Sequence, residues 1–200
     1  MELTPEVLLS GYMQGIFPMA HDDGRIYWHA PNPRAILALD GLHVSQSLRR
    51  VIHRGLFDVR FDTAFEAVIA ACAAPAPGRE ETWISGEIQS AYIALHRLGF
   101  AHSVEAWLGD DLVGGLYGVS IRGFFAGESM FSHRRDASKV SLYYLVQHLR
   151  ARRFRLLDVQ YVTPHLLRLG AVEVPRRLYL AHLRRALGLS LIHIFSESNL

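Results

Sequence analysis

The chain has 200 residues, half of them apolar, and a formal net charge of +2. That supports one well-buried core with room for a small appendage, and the charge is too small to announce a nucleic-acid binder, although arginine gathers at Arg49-Arg50, Arg134-Arg135, Arg150 to Arg155, Arg176-Arg177 and Arg184-Arg185. A single cysteine, Cys72, rules out an intramolecular disulfide, and no apolar stretch nears the roughly twenty residues that span a bilayer or follows a basic leader, so a cytoplasmic protein without a membrane partner is expected.

Thr4-Pro5-Glu6 is a helix-start signature and predicts a short helix from Glu6 to about Gln14. From Gly15 to Pro33 turn-forming and aromatic residues crowd together, which reads as an irregular N-terminal cap domain over residues 1–32 with a boundary near Asn32. Residues 33–186 are expected to form the main domain. Helices are predicted over Ser45 to His53, over Ala64 to Ala74 with Asp62 or Thr63 as the cap, and over Glu87 to Leu98.

After Gly99 the apolar period shortens from that of a helix to that of a strand. Ala101 to Leu108, Leu112 to Ser120 and Arg122 to Gly127 predict an antiparallel meander. Val140, Leu142, Tyr143, Leu145, Val146 and Leu149 then mark a long helix over Ala137 to Arg152, capped by Asp136. A strand over Arg155 to Val162, a short helix opened by Thr163-Pro164, a strand over Ala171 to Val174 and a helix from Leu178 complete the order βββ-α-β-α-β-α. Residues 187–200 form a tail that is expected to be non-native, because Leu189 to Ile194 looks like a translated sequencing-library adapter.

Two acids stand out. Glu128 lies in Phe124-Phe125-Ala126-Gly127-Glu128-Ser129-Met130-Phe131, and Asp158 in Leu156-Leu157-Asp158-Val159-Gln160. Burying a carboxylate costs several kcal/mol unless donors surround it, so two acids in apolar strands point to a site. Strand alternation puts Asp158 and Gln160 on one face, about 7 Å apart. With Glu128 at the end of the meander strand, the βββ-α order brings it beside Asp158.

Other chemistries lack their signatures. Gly127-Glu128-Ser129-Met130-Phe131 has no second glycine for a G-x-S-x-G nucleophile elbow, and none of the eleven histidines falls in a zinc-binding pattern, so no metal is expected. The element order suggests an α+β, acetyltransferase-like fold with a mostly antiparallel sheet flanked by helices. The loop that would cradle a coenzyme A pyrophosphate in such a fold is Ser132-His133-Arg134-Arg135-Asp136-Ala137-Ser138-Lys139. It is basic and has no glycine, which fits the phosphates of nucleic acid, met by Arg134, Arg135 and Lys139, better than a coenzyme.

Taken in order, Gly15-Ile16-Phe17-Pro18, Thr82-Trp83-Ile84, His102-Ser103-Val104-Glu105, Leu112 to Val119, Gly127 to Ser132, Ala137-Ser138-Lys139 and Leu169-Gly170-Ala171 resemble the leucyl/phenylalanyl-tRNA–protein transferases. The resemblance implies transfer of leucine, phenylalanine or methionine from aminoacyl-tRNA to proteins beginning with arginine or lysine, creating a degradation signal, with no cofactor; a monomer is expected, since nothing in the sequence demands more. It implies that Trp83, Met19, Phe17 and Ser129 hold the tRNA 3′ end, although the family often writes tryptophan where this chain has Met19. Leu116, Phe125, Met130, Leu142, Leu145, Leu149 and Leu157 are implied to line the amino-acid pocket. Asp158 and Gln160 are implied to act on the reaction; with Glu128 beside them, Gln160 is expected to position the amine or ester, Asp158 to orient Gln160 or accept a proton, and Glu128 to hold the acceptor's cationic end. The ribose 2′ hydroxyl is an alternative proton shuttle. The competing readings are a coenzyme A dependent N-acetyltransferase and a non-catalytic tRNA-binding protein.

Overall fold

The computed structural model describes residues 3–75 and 82–188. The chain opens with α1 (Pro5–Met13), whose N-cap Thr4 accepts from the Val7 amide, and continues into a hairpin of β1 (Phe17–Ala20) and β2 (Ile26–His29). There follow β3 (Arg34–Leu37), α2 (Gln46–His53), β4 (Asp58–Phe61), α3 (Phe65–Ala73) and α4 (Gly86–Arg97). The expected meander comes next, as β5 (Ala101–Leu108), β6 (Asp111–Ile121) and β7 (Phe124–Ser132). The chain closes with α5 (Ala137–Ala151), β8 (Leu156–Gln160), α6 (Pro164–Arg168), β9 (Ala171–Val174) and α7 (Arg176–Ala186).

Seven strands form one sheet in the order β4-β5-β6-β7-β8-β3-β9, antiparallel at every junction except β7 with β8. Alternation sends neighbouring side chains to opposite faces. Tyr117, Val119, Phe124 and Ala126 join a core with α1, α3, α4 and α7, while Leu116, Phe125, Leu157 and Val159 join a second core under α5. Leu8, Tyr12 and Phe17 from the first 32 residues belong to the first of these cores.

Two features of the sheet create the site. The parallel ladder of β7 and β8 ends at the Ala126–Asp158 pair, although β7 runs on to Ser132, so the sheet splays beyond that point. In addition, Tyr117 pairs with Ser129 but Gly118 pairs with Gly127, which leaves Glu128 as the extra residue of a β-bulge. A bulge re-aims a side chain, and here it turns a mid-strand carboxylate towards the splay. Gly118 is required opposite it: a Cβ there would lie 2.2 Å from the Ala126 carbonyl oxygen and 2.4 Å from the Phe125 ring.

Several sequence expectations need correction. Glu128 does not end its strand, because β7 continues four residues further. Residues 15–33, expected to be irregular, hold a β-hairpin, and the four-residue strands β3 and β4 carry too few residues to show a period. Asp136 precedes α5 but makes no capping bond; it holds the Lys139 ammonium at 2.7 Å instead. Asp62 and Thr63 likewise do not cap α3: Asp62 accepts from His102 and the Ser103 amide, and Thr63 donates to buried Glu105. Leu187, at the start of the tail expected to be non-native, is buried, and residues 189–200 of that tail lie outside the described residues.

Candidate active site at the strand splay

A cavity of about 260 Å³ opens where β7 and β8 part. Its walls are apolar, with Leu116 from β6, Met130 from β7, Leu142 and Leu145 from α5, Leu157 and Val159 from β8, and Leu166 from α6. Glu128, Ser129 and Gln160 bring polar groups to it, and Trp83 borders it from the segment before α4. An apolar cavity with a few convergent polar groups fits a small apolar side chain carrying a reactive polar end.

Asp158 lies just below this opening with no exposed surface. Arg34 clamps it with both arms of the guanidinium, Nε donating to Oδ1 at 2.9 Å and Nη2 to Oδ2 at 2.7 Å. Tyr179 donates its hydroxyl to Oδ2 at 2.9 Å, and the Gln160 amide donates to Oδ1 at 3.0 Å. Arg34 is itself fully buried, sandwiched between the rings of Phe17 and Tyr179 at 4.6 Å each. Burial alone would push its pKa down, but the bonds to Asp158 outweigh that and raise it. Both Asp158 oxygens are therefore occupied, by Arg34, Tyr179 and the Gln160 amide.

The fixed amide matters because Gln160 has φ of 56°, in the left-handed region that non-glycine residues seldom occupy. That backbone aims its side-chain amide at Glu128, with Nε2 donating to Oε1 at 3.0 Å. Tyr92 donates to the other Glu128 oxygen at 3.3 Å, and the Tyr12 and Tyr92 hydroxyls are bonded to each other. Burial pushes the Glu128 carboxyl up to about 8; the nearby Asp158 charge pushes the same way, while the tyrosine hydrogen bonds and Arg34 oppose it.

This shift carries a stability signature. From its ordinary value of 4.5 up to about 8, Glu128 keeps a proton in the folded state that the unfolded chain has already lost. Its contribution is thus fully present below pH 4.5 and lost as pH rises through 8. Urea denaturation of Glu128→Gln is expected to show a smaller fall in midpoint between pH 6 and pH 9 than the parent chain.

Two family models cover the chain, the leucyl/phenylalanyl-tRNA protein transferase N-terminal domain over residues 1–32 and the leucyl/phenylalanyl-tRNA protein transferase over residues 36–184. The chain belongs to this family. Relatives named leucyl/phenylalanyl-tRNA–protein transferase include one from Rhodospirillum rubrum, 54% identical with 92% of this chain and 88% of its own length matched, and one from Herpetosiphon aurantiacus, 55% identical with 94% and 96% matched. The protein is therefore an aminoacyltransferase. Among solved structures, a ribosomal-protein-alanine N-acetyltransferase from Brucella melitensis is 16% identical over 55% of this chain and 83% of its own, with a TM-score of 0.36.

In this transferase Leu116, Met130, Leu142, Leu145 and Leu157 line the cavity, whereas Phe125 and Leu149 line a separate cavity of about 480 Å³ further along α5. Ser129 reaches the cavity wall. Phe17 and Met19 do not. Phe17 stacks on His29 and covers Arg34, and Met19 packs on the core beside Trp83, whose carbonyl accepts from the Ala20 amide at 3.1 Å. Arg134 and Arg135 are exposed on the loop before α5, and Lys139 is one turn inside it.

Sequence reasoning missed Arg34, Tyr12, Tyr92, Tyr117, Tyr179 and His165. Arg34 offered little signal, since an arginine at the start of a four-residue strand is as readily solvated as buried. The tyrosines offered none, because a tyrosine on a helix, as Tyr12, Tyr92 and Tyr179 are, or in a strand, as Tyr117 is, looks the same whether or not it faces a site. Tyr117 Oη and His165 Nε2 are buried without a hydrogen-bond partner among the described residues, and both residues line the cavity. No group of three or more His, Cys, Asp or Glu among the described residues is placed to hold a metal ion, and no described helix is long and apolar enough to cross a membrane.

Proposed function

We propose that the cavity receives the side chain of leucine, phenylalanine or methionine esterified to tRNA, and that Glu128 and Gln160 act on the α-amino group of an acceptor protein beginning with arginine or lysine. On this reading the enzyme is a cytoplasmic monomer that creates a degradation signal, on an acetyltransferase-like domain behind a small N-terminal cap. The observation that carries it is the Glu128–Gln160 pair at the opening of an apolar cavity, with Asp158 already saturated by Arg34, Tyr179 and the Gln160 amide.

Aminolysis of an ester needs a neutral amine held against the carbonyl, which orientation alone favours by about 7–11 kcal/mol. The Glu128 pKa of about 8 matches that of a protein α-amino group, roughly 7.7–8.0. Ionised Glu128 takes the nitrogen-bound proton as the C–N bond forms and returns it to the ribose 3′ oxygen as the C–O bond breaks. Gln160, a neutral amide and a poor base, orients Glu128 and the incoming amine. Leucine, phenylalanine and methionine differ by little more than shape, and a wall containing Met130 tolerates such differences at about 1–3 kcal/mol each.

Trp83 and Ser129 hold the terminal adenosine, with Met19 and Phe17 supporting that wall, and Arg134, Arg135 and Lys139 meet phosphates. Stacking on an aromatic ring contributes about 1–3 kcal/mol per base. Trp83→Ala is accordingly expected to raise KM for leucyl-tRNA roughly 5- to 150-fold with kcat changed far less, while Trp83→Phe retains most of the affinity. The direct test of the activity is transfer of radiolabelled leucine from leucyl-tRNA to a peptide beginning with arginine, beside one beginning with alanine, with acetyl coenzyme A as a separate donor. Label on the arginine peptide from tRNA alone is expected; transfer from acetyl coenzyme A would overturn the reading.

A further inference from the structure

A second cavity of about 290 Å³ shares a wall with the amino-acid cavity, and the shared residue is His165 of α6. Its other polar lining residues are His43, Ser45, Lys139 and Arg168, and no carboxylate lines it. Lys139 is partly answered by Asp136 at 2.7 Å, but Arg168 has no carboxylate paired with it among the described residues. Burial, and then the charges of Lys139 and Arg168, hold the His165 imidazole below its ordinary pKa. Its Nε2 is buried and unpartnered among the described residues, an unmet hydrogen bond that a ligand would satisfy.

We propose that this cavity holds an internucleotide phosphate of the donor's 3′ end, one step back from the esterified adenosine, with Arg168, Lys139, His43 and His165 around it. The inference rests on the aminoacyl-tRNA reading above. A phosphodiester supplies one negative charge and acceptor oxygens, which is what a basic, carboxylate-free cavity lacks, and charge-assisted bonds to it are about twice as strong as neutral ones. The location is the telling part. His165 touches both the space for the amino-acid side chain and the space for the anion, so a ligand filling both must carry an apolar group and a phosphate a few atoms apart. Arg135, with its side chain 91% exposed, does not line this cavity and is left for phosphates further along the tRNA.

Two donors separate this subsite from the rest of the machinery: leucyl-adenosine, which has no phosphate, and leucine esterified to the trinucleotide CCA, which has two. Arg168→Ala and His43→Ala, made singly and together in the full chain, are expected to raise KM for leucyl-CCA roughly 10- to 100-fold, with kcat and all parameters for leucyl-adenosine unchanged. The log–log slope of leucyl-CCA use against salt should fall by about 0.7 for each cation–phosphate pair removed. Arg168→Lys should recover most of the loss. An equal rise in KM for both donors, or no rise for either, would overturn the proposal. A parent enzyme inert with both donors would overturn the aminoacyl-tRNA reading and this inference with it.

Discussion

Replacing Arg34 with methionine is expected to cost the fold about 3–5 kcal/mol, read as a large fall in the midpoint of urea denaturation. The reason is geometric. Asp158 is fully buried and relies on both arms of the Arg34 guanidinium, so methionine leaves an ionised carboxylate with only the Tyr179 hydroxyl and one amide. Removing the second charge as well, in Arg34→Met with Asp158→Asn, should recover most of that loss, because a neutral buried pair can be almost as stable as an ionic one. A single variant as stable as the parent would show that the ion pair does not lock β8. For the same reason Asp158→Ala reports on stability before chemistry, since it strands the buried Arg34.

The second large effect is on transfer itself. Glu128→Gln is expected to reduce kcat about 10²- to 10⁴-fold, the usual contribution of a positioned base, and to leave donor affinity largely intact. Gln160→Gly separates chemistry from stability more cleanly. The backbone at residue 160 already has φ of 56°, which glycine adopts without strain, so this variant should unfold at the same or higher urea concentration. It nevertheless loses the amide that holds Glu128 at 3.0 Å, and kcat should fall by about 10²-fold or more. Equal losses in both properties would mean that Gln160 is structural.

Much of this site was legible in the sequence. The acids and Gln160 stood out because polar groups in apolar strands are costly, and the order βββ-α-β-α-β-α after Gly99 followed from a change of period that the structure reproduces. What the sequence could not reveal depends on register. A bulge at Glu128 is visible only once β6 and β7 are paired, and the partners of Asp158 come from Arg34 and Tyr179, which are 124 and 21 residues away from it. The four-residue strand carrying Arg34 was too short to reveal a period, so the acid could be found before its counter-ion. Phe125 and Leu149 were expected in the pocket from the resemblance, but Phe125 on β7 and Leu149 on α5 line the neighbouring cavity instead.

The central claim is that Glu128 takes the proton during transfer, and its most direct test is the pH dependence of kcat/KM below pH 7 for leucine transfer from leucyl-tRNA to an arginine peptide. With an ionised Glu128 and a neutral amine both required, the parent should gain about two decades per pH unit, and Glu128→Gln about one, because only the amine then titrates. Equal slopes in the two proteins would contradict the account.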